Sequence, residues 1–138
     1  MRLPDWEKRL ADFVTSRYSE PFTWATNDCC TFAADAVLSM TGRDPAWFVR
    51  GLYDGPKSYM RMCKDMDSTP MDLIDKGLTE IGCARIPSGY AKNGDIVPMG
   101  NHGPLIGVAY QTGVLCVAGS GLTSLPRPEG AEAWHVPF

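Results

Sequence analysis

The sequence predicts an α+β fold in which N-terminal helices pack on a C-terminal antiparallel β-sheet. Three observations lead there. Apolar residues recur at helical spacing up to about residue 81, and short β-prone runs replace them from Cys83 onward. The fourteen glycines and eleven prolines are weighted toward that second part, where they punctuate the runs. Gln111-Thr112-Gly113 then separates two apolar runs in the manner of a hairpin turn. Helices followed by an antiparallel meander make an α+β domain. With 138 residues the chain is read as one domain, 1–138, long enough to bury a sizeable core.

Pro4 opens the first predicted helix, through Trp6, Leu10, Phe13 and Val14, at an early position where its missing N–H costs nothing. Glu20-Pro21 breaks it, because the residue before a proline disfavours helix. A second helix starts at Asn27 or Asp28 as N-cap and carries Cys29, Phe32, Ala33, Ala36, Val37 and Met40 on one stripe, with Gly42 at or near C′. Another helix is expected from Asp44 or Pro45 over Trp47, Phe48 and Leu52, a short one over Tyr59 to Cys63, and a longer one after Ser68-Thr69-Pro70 carrying Met71, Ile74, Leu78 and Ile81. Gly77 weakens that last pattern. Ile96–Pro98, Leu105–Tyr110, Val114–Val117 and Trp134–Val136 read as strands.

Cys29 is the leading functional candidate. At the first turn of a helix, unpaired backbone N–H groups and the positive end of the macrodipole favour a thiolate, the form that attacks carbonyl carbon. The competing reading is a small apolar packing residue, since free cysteine is among the most buried types. Cys30 points about 100° away by helix geometry and reads as packing.

Composition narrows the function classes. A formal charge of -3 leaves no excess of Lys and Arg to neutralise phosphates, which argues against a nucleic-acid partner. No apolar run is long enough to span a bilayer, and Met1 to Phe13 is charged and amphipathic, unlike a signal peptide; synthesis and retention in a cytoplasm are expected. The five cysteines, at 29, 30, 63, 83 and 116, form no Cys-x-x-Cys pair and have no histidine at ligand spacing. Reduced thiols, no metal and no cofactor are the expectation, and a thiol-redox role for Cys29 and Cys30 ranks below the other readings.

Asp28-Cys29 at a helix start, Gly94-Asp95-Ile96-Val97 opening the strands, and Gly107-Val108-Ala109 in the next strand occur in the order of the NlpC-type, papain-like peptidoglycan peptidases, which the chain resembles over most of its length. It is most similar to small phage tail-associated members of that superfamily. The resemblance implies a papain-like fold, a virion location in a phage tail or tail tip after synthesis in the host cytoplasm, tail proteins as partners, and cysteine-dependent hydrolysis of peptidoglycan peptides. It also implies where the pattern departs. With Gly107 as the family's strand glycine, the usual catalytic histidine falls on Leu105 and the orienting polar residue on Val117; the serine and glycine after the cysteine are Cys30 and Thr31.

A cysteine nucleophile needs an imidazole within hydrogen-bond reach. His102, in Gly100-Asn101-His102-Gly103-Pro104, is the better candidate, with Asn101 or Asp95 to orient it; a solvated loop histidine is the alternative. His135 reads as a strand residue that alternates outward. Trp24 either shapes a cleft or caps the core, while Trp6, Trp47 and Trp134 suit core or interface positions. Phe48, Tyr53, Tyr59, Met60 and Met62 suit a partner-binding face or the core, and Asp35 is expected in solvent. Two readings follow: a cysteine peptidase with Cys29 as nucleophile and His102 as base, or the same fold kept as an inert tail adaptor.

Overall fold

A computed structural model describes residues 1–100 and 105–138. Four helices, α1 (Trp6–Arg17), α2 (Cys29–Thr41), α3 (Pro56–Asp65) and α4 (Pro70–Glu80), precede an antiparallel sheet. Its strands are β1 (Ala84–Pro87), β2 (Ile96–Pro98), β3 (Ile106–Tyr110), β4 (Gly113–Ala118), β5 (Gly121–Leu125) and β6 (Glu132–His135), in the order β1-β6-β2-β3-β4-β5. The expected α+β architecture is what is observed. No helix among the described residues is long and apolar enough to cross a membrane.

Alternation along the strands divides the interior. Ile96, Ile106, Val108, Val117 and Trp134 face α1 and α2, where they meet Leu10, Phe32, Ala36, Val37 and Met40. Val97, Ala109, Val114, Cys116 and Ala133 form a smaller cluster with Ala91 and Met99. Tyr53, Met62, Cys63 and Leu73 make a third under α3 and α4. Trp134, 1% exposed, still satisfies its indole by donating from Nε1 to Asp75 Oδ1 at 2.9 Å.

The sheet needs glycine at two close approaches. A Cβ on Gly107 would stand 2.6 Å from Leu115 O and 2.7 Å from Cys116 Sγ, and one on Gly113 would stand 2.4 Å from Ser124 Oγ. The hairpin lies where the sequence predicts it: Tyr110 pairs with Gly113 across β3 and β4, and Gln111 in the turn takes a positive φ of 54°. Residues 45–50, expected as a helix, are turns. Asp44 Oδ1 accepts from Ala46 N at 2.9 Å, as an N-cap does, and both Asp44 oxygens hold Arg50. Gly51 at φ 80° then ends the segment.

Candidate functional site

Helix α2 begins where the sequence places it. Asp28 is the N-cap: its Oδ1 accepts from Thr31 N at 2.8 Å, and Thr31 Oγ1 accepts from Asp28 N at 2.8 Å, a reciprocal capping box. Gly42 closes the helix at φ 76°, donating to Leu38 O at 2.8 Å. Asp28 also accepts at Oδ2 from Tyr53 OH at 2.6 Å and Ala25 N at 2.9 Å. This buried carboxylate therefore ties the helix start to two other segments. Burial, followed by the hydrogen bond to Asp28, pushes the Tyr53 phenol up.

The segment before α2 carries the rim of a cleft. Asn27, 3% exposed, donates from Nδ2 to Glu20 O and Pro21 O and accepts from Arg17 Nη1 at 3.1 Å, while Phe22 N donates to Ala118 O at 3.0 Å. These bonds fasten the loop to α1 and β4. Phe22 and Trp24 consequently stand over the helix start, rings 5.3 Å apart, with Tyr59 6.0 Å from Trp24. Of the two readings of Trp24, the cleft is the observed one. The cleft, of about 390 Å³, is lined by Phe22, Trp24, Asp28, Cys29, Cys30, Tyr59, Leu105 and Val117.

Cys29 sits in that cleft partly exposed. Its Sγ is 4.0 Å from Cys30 Sγ, and Cys30 Sγ is 3.7 Å from Tyr59 OH. The Cys30 thiol beside it holds the Cys29 pKa below the ordinary value; burial and the Asp28 charge oppose this, and the backbone amides of Ile106 and Leu105 reinforce it. Cys30 moves the opposite way, well up, because a neighbouring Cys29 thiolate and burial both favour its thiol. Cys30 thus contacts the Cys29 sulfur as well as packing. Tyr59, pushed up chiefly by burial, stays protonated beside it. Neither tyrosine's part in the site follows from the sequence, since each reaches the helix start only through tertiary packing.

Leu105 and Val117, the two positions where the family resemblance locates the histidine and its orienting partner, both line the cleft around Cys29. His102 and Asn101 lie outside the described residues. His135 does not belong to this site. Its Nδ1 is 3.0 Å from Asp95 Oδ1, and Asp95, fully buried, also accepts from Arg2 Nη2 at 2.9 Å, Val136 N at 3.0 Å and Lys92 N at 2.9 Å. The neighbouring Gly94 packs on Met40, in the last turn of α2: a Cβ there would stand 2.6 Å from Met40 Sδ. Cys29 is in the first turn, roughly 17 Å away along the axis at 1.5 Å per residue. Asp95 therefore serves His135 and Arg2, at the other end of the helix from the thiol.

Elsewhere the sequence reading needs correction. Asp35 is no solvated acid: Arg17 and Arg50 both reach it at 2.6 Å. Trp47 and Met60 are exposed, while Tyr53 and Met62 are buried. No group of three or more His, Cys, Asp or Glu side chains among the described residues is placed to hold a metal ion.

Comparison with known proteins gives one match, over residues 1–136, to the family described as Domain of unknown function (DUF6950). The chain belongs to the DUF6950 family. No curated protein and no solved structure matches it. Because the match spans nearly all of this DUF6950 chain, the helical part, the cleft and the sheet fall inside one family unit.

Proposed function

We propose that this DUF6950 protein is an NlpC-like, papain-type domain serving a phage tail or tail tip as a structural or adaptor component, with the peptidase cleft kept and its triad positions filled by apolar side chains. One observation carries the reading. The two positions singled out from Gly107 in the sequence, Leu105 and Val117, share a cleft with Cys29. Amide cleavage needs a proton delivered to the leaving nitrogen, and neither leucine nor valine can supply it. Co-purification with tail proteins, together with no release of peptide from peptidoglycan by the wild-type chain, is the expected result. Hydrolysis that disappears in Cys29→Ser would overturn it.

A second reading is supported by the thiol itself. Cys29 heads a capped helix and its pKa is lowered by Cys30 and two backbone amides, as a nucleophile requires. As a peptidase of peptidoglycan peptides it would take its proton carrier from His102. Iodoacetamide alkylation across pH separates the two readings: a low-pH reactive limb that vanishes in His102→Ala supports the peptidase, and a limb unchanged by that substitution supports the adaptor.

A further inference from the structure

Chemistry available to Cys29 is set by what surrounds it. Phe22, Trp24, Leu105 and Val117 give its cleft aromatic and aliphatic walls. A second cavity of about 50 Å³, between α2, α3, α4 and residues 45–49, shares Cys30 and Tyr59 with the cleft. Its walls include Ala33, Ala34, Val49, Met62, Leu73 and Leu78. At about 10–15 Å³ per water-sized group, it has room for about three to five such groups.

The helix start adds a polar element beside the sulfur. Thr31 N–H is taken by Asp28 Oδ1 and Phe32 N–H by Asp28 O. The N–H groups of Cys29 and Cys30 have no acceptor among the described residues, and such orphan donors at a helix start stabilise a developing oxyanion. A cysteine sulfur, two amide donors and apolar walls suit one kind of acyl donor. A thioester expels a thiolate, which needs no proton, whereas an amide expels nitrogen, which does.

We propose that Cys29 is an S-acylation site, taking an apolar, medium-chain acyl group from an acyl thioester and holding its chain in the cleft and the adjoining apolar cavity. The Cys29 thiolate attacks the thioester carbonyl carbon and a new C–S bond forms. The bond to the donor sulfur breaks, and that sulfur leaves with its electron pair as a thiolate. Nothing is oxidised or reduced. The cleft is thereby a binding site for acyl chains, and this stands whether or not the protein resides in a tail.

The test uses the full chain with acetyl, butyryl and octanoyl thioesters of N-acetylcysteamine, read by intact mass and peptide mapping. One hydroxylamine-labile acyl group on Cys29 is expected, absent in Cys29→Ala. The rate should rise from acetyl through butyryl to octanoyl, by about fourfold for each methylene buried. Val49→Phe, which fills the adjoining cavity, should lower the octanoyl rate and leave the acetyl rate unchanged. Equal rates for acetyl and octanoyl donors on the wild-type chain, label spread evenly over the five cysteines, or no label on Cys29 would each overturn the proposal. The wild-type chain-length series decides the matter even where Val49→Phe does not fold.

Discussion

Removing the Asp28 side chain tests two functions of one carboxylate. In the fold it accepts from Thr31 N, Thr31 Oγ1, Ala25 N and Tyr53 OH at 2.8, 3.1, 2.9 and 2.6 Å, and it is 3% exposed. Asp28→Ala loses an N-cap, worth about 1 kcal/mol. It also leaves the buried Tyr53 hydroxyl without its partner, at about 1–3 kcal/mol. A loss of about 3 kcal/mol is expected in urea unfolding, with a fall in Tm of roughly 10 °C for a domain of this size. Asp28→Asn keeps an acceptor at the cap and should cost about 1 kcal/mol. The thiol responds in the other direction. The Asp28 charge opposes the Cys29 thiolate, so the neutral asparagine should move the Cys29 alkylation profile to lower pH and raise its rate at neutral pH. Asp28→Ala within about 0.5 kcal/mol of wild type would refute the cap assignment. Slower alkylation in Asp28→Asn would refute the electrostatic one.

Three further outcomes follow from the same contacts. Cys30→Ala removes the thiol that favours the Cys29 thiolate, so the Cys29 alkylation limb should move to higher pH; an unmoved limb would assign the activation to the backbone amides alone. Gly77→Ala puts a Cβ 2.0 Å from Pro45 O, and the strain of parting α4 from that turn should outweigh the better helix propensity of alanine, leaving a net loss of about 1–3 kcal/mol in urea unfolding. Burial pushes the thiols of Cys83 and Cys116 up to about 12 from an ordinary 9.0. A raised acid favours the folded state as the neutral thiol, so this stability is complete below pH 9 and is lost as pH climbs from 9 toward 12, on the order of 1–3 kcal/mol for each group. Urea titrations over that range should show the loss, and Cys116→Ala should flatten it.

The α2 helix was legible because every local signal agreed: an Asp cap, a stripe from Cys29 to Met40 and a glycine at the exit, all of which the fold uses. Central strands were legible for the same reason, since β2, β3 and β4 are continuous apolar runs. The outermost strands β1 and β5 were not. Their sequences, Ala84-Arg85-Ile86-Pro87 and Gly121-Leu122-Thr123-Ser124-Leu125, are partly exposed edge strands whose weak alternation reflects having one neighbour instead of two. Residues 45–50 failed in the opposite way: their apolar pattern and the Asp44 cap suit a helix, but Gly51 at φ 80° ends the segment within two turns. At the site, Cys29 was visible through its cap, whereas Tyr53 and Tyr59 were ambiguous because nothing in their own segment shows that one holds Asp28 and the other Cys30.

The placement of polar groups along α2 accounts for the character of the cleft. At the last turn, Asp95 gathers Arg2, His135 and two backbone amides into one buried cluster. That cluster binds β2, β6 and the segment before α1, and breaking one partner of a buried pair costs about 3–5 kcal/mol, so its histidine is committed to holding the sheet. At the first turn, Asp28 is equally committed, with both oxygens saturated by the cap and by Tyr53. Among the described residues, what remains to act on a ligand there is a thiol, the hydroxyl and thiol behind it, and two backbone N–H groups, inside largely apolar walls. Such a set stabilises negative charge and donates no proton at need. It fits exchange between thiolates better than cleavage of amides, and His135→Ala, expected to weaken the fold while leaving the Cys29 alkylation profile in place, would separate the two ends of the helix experimentally.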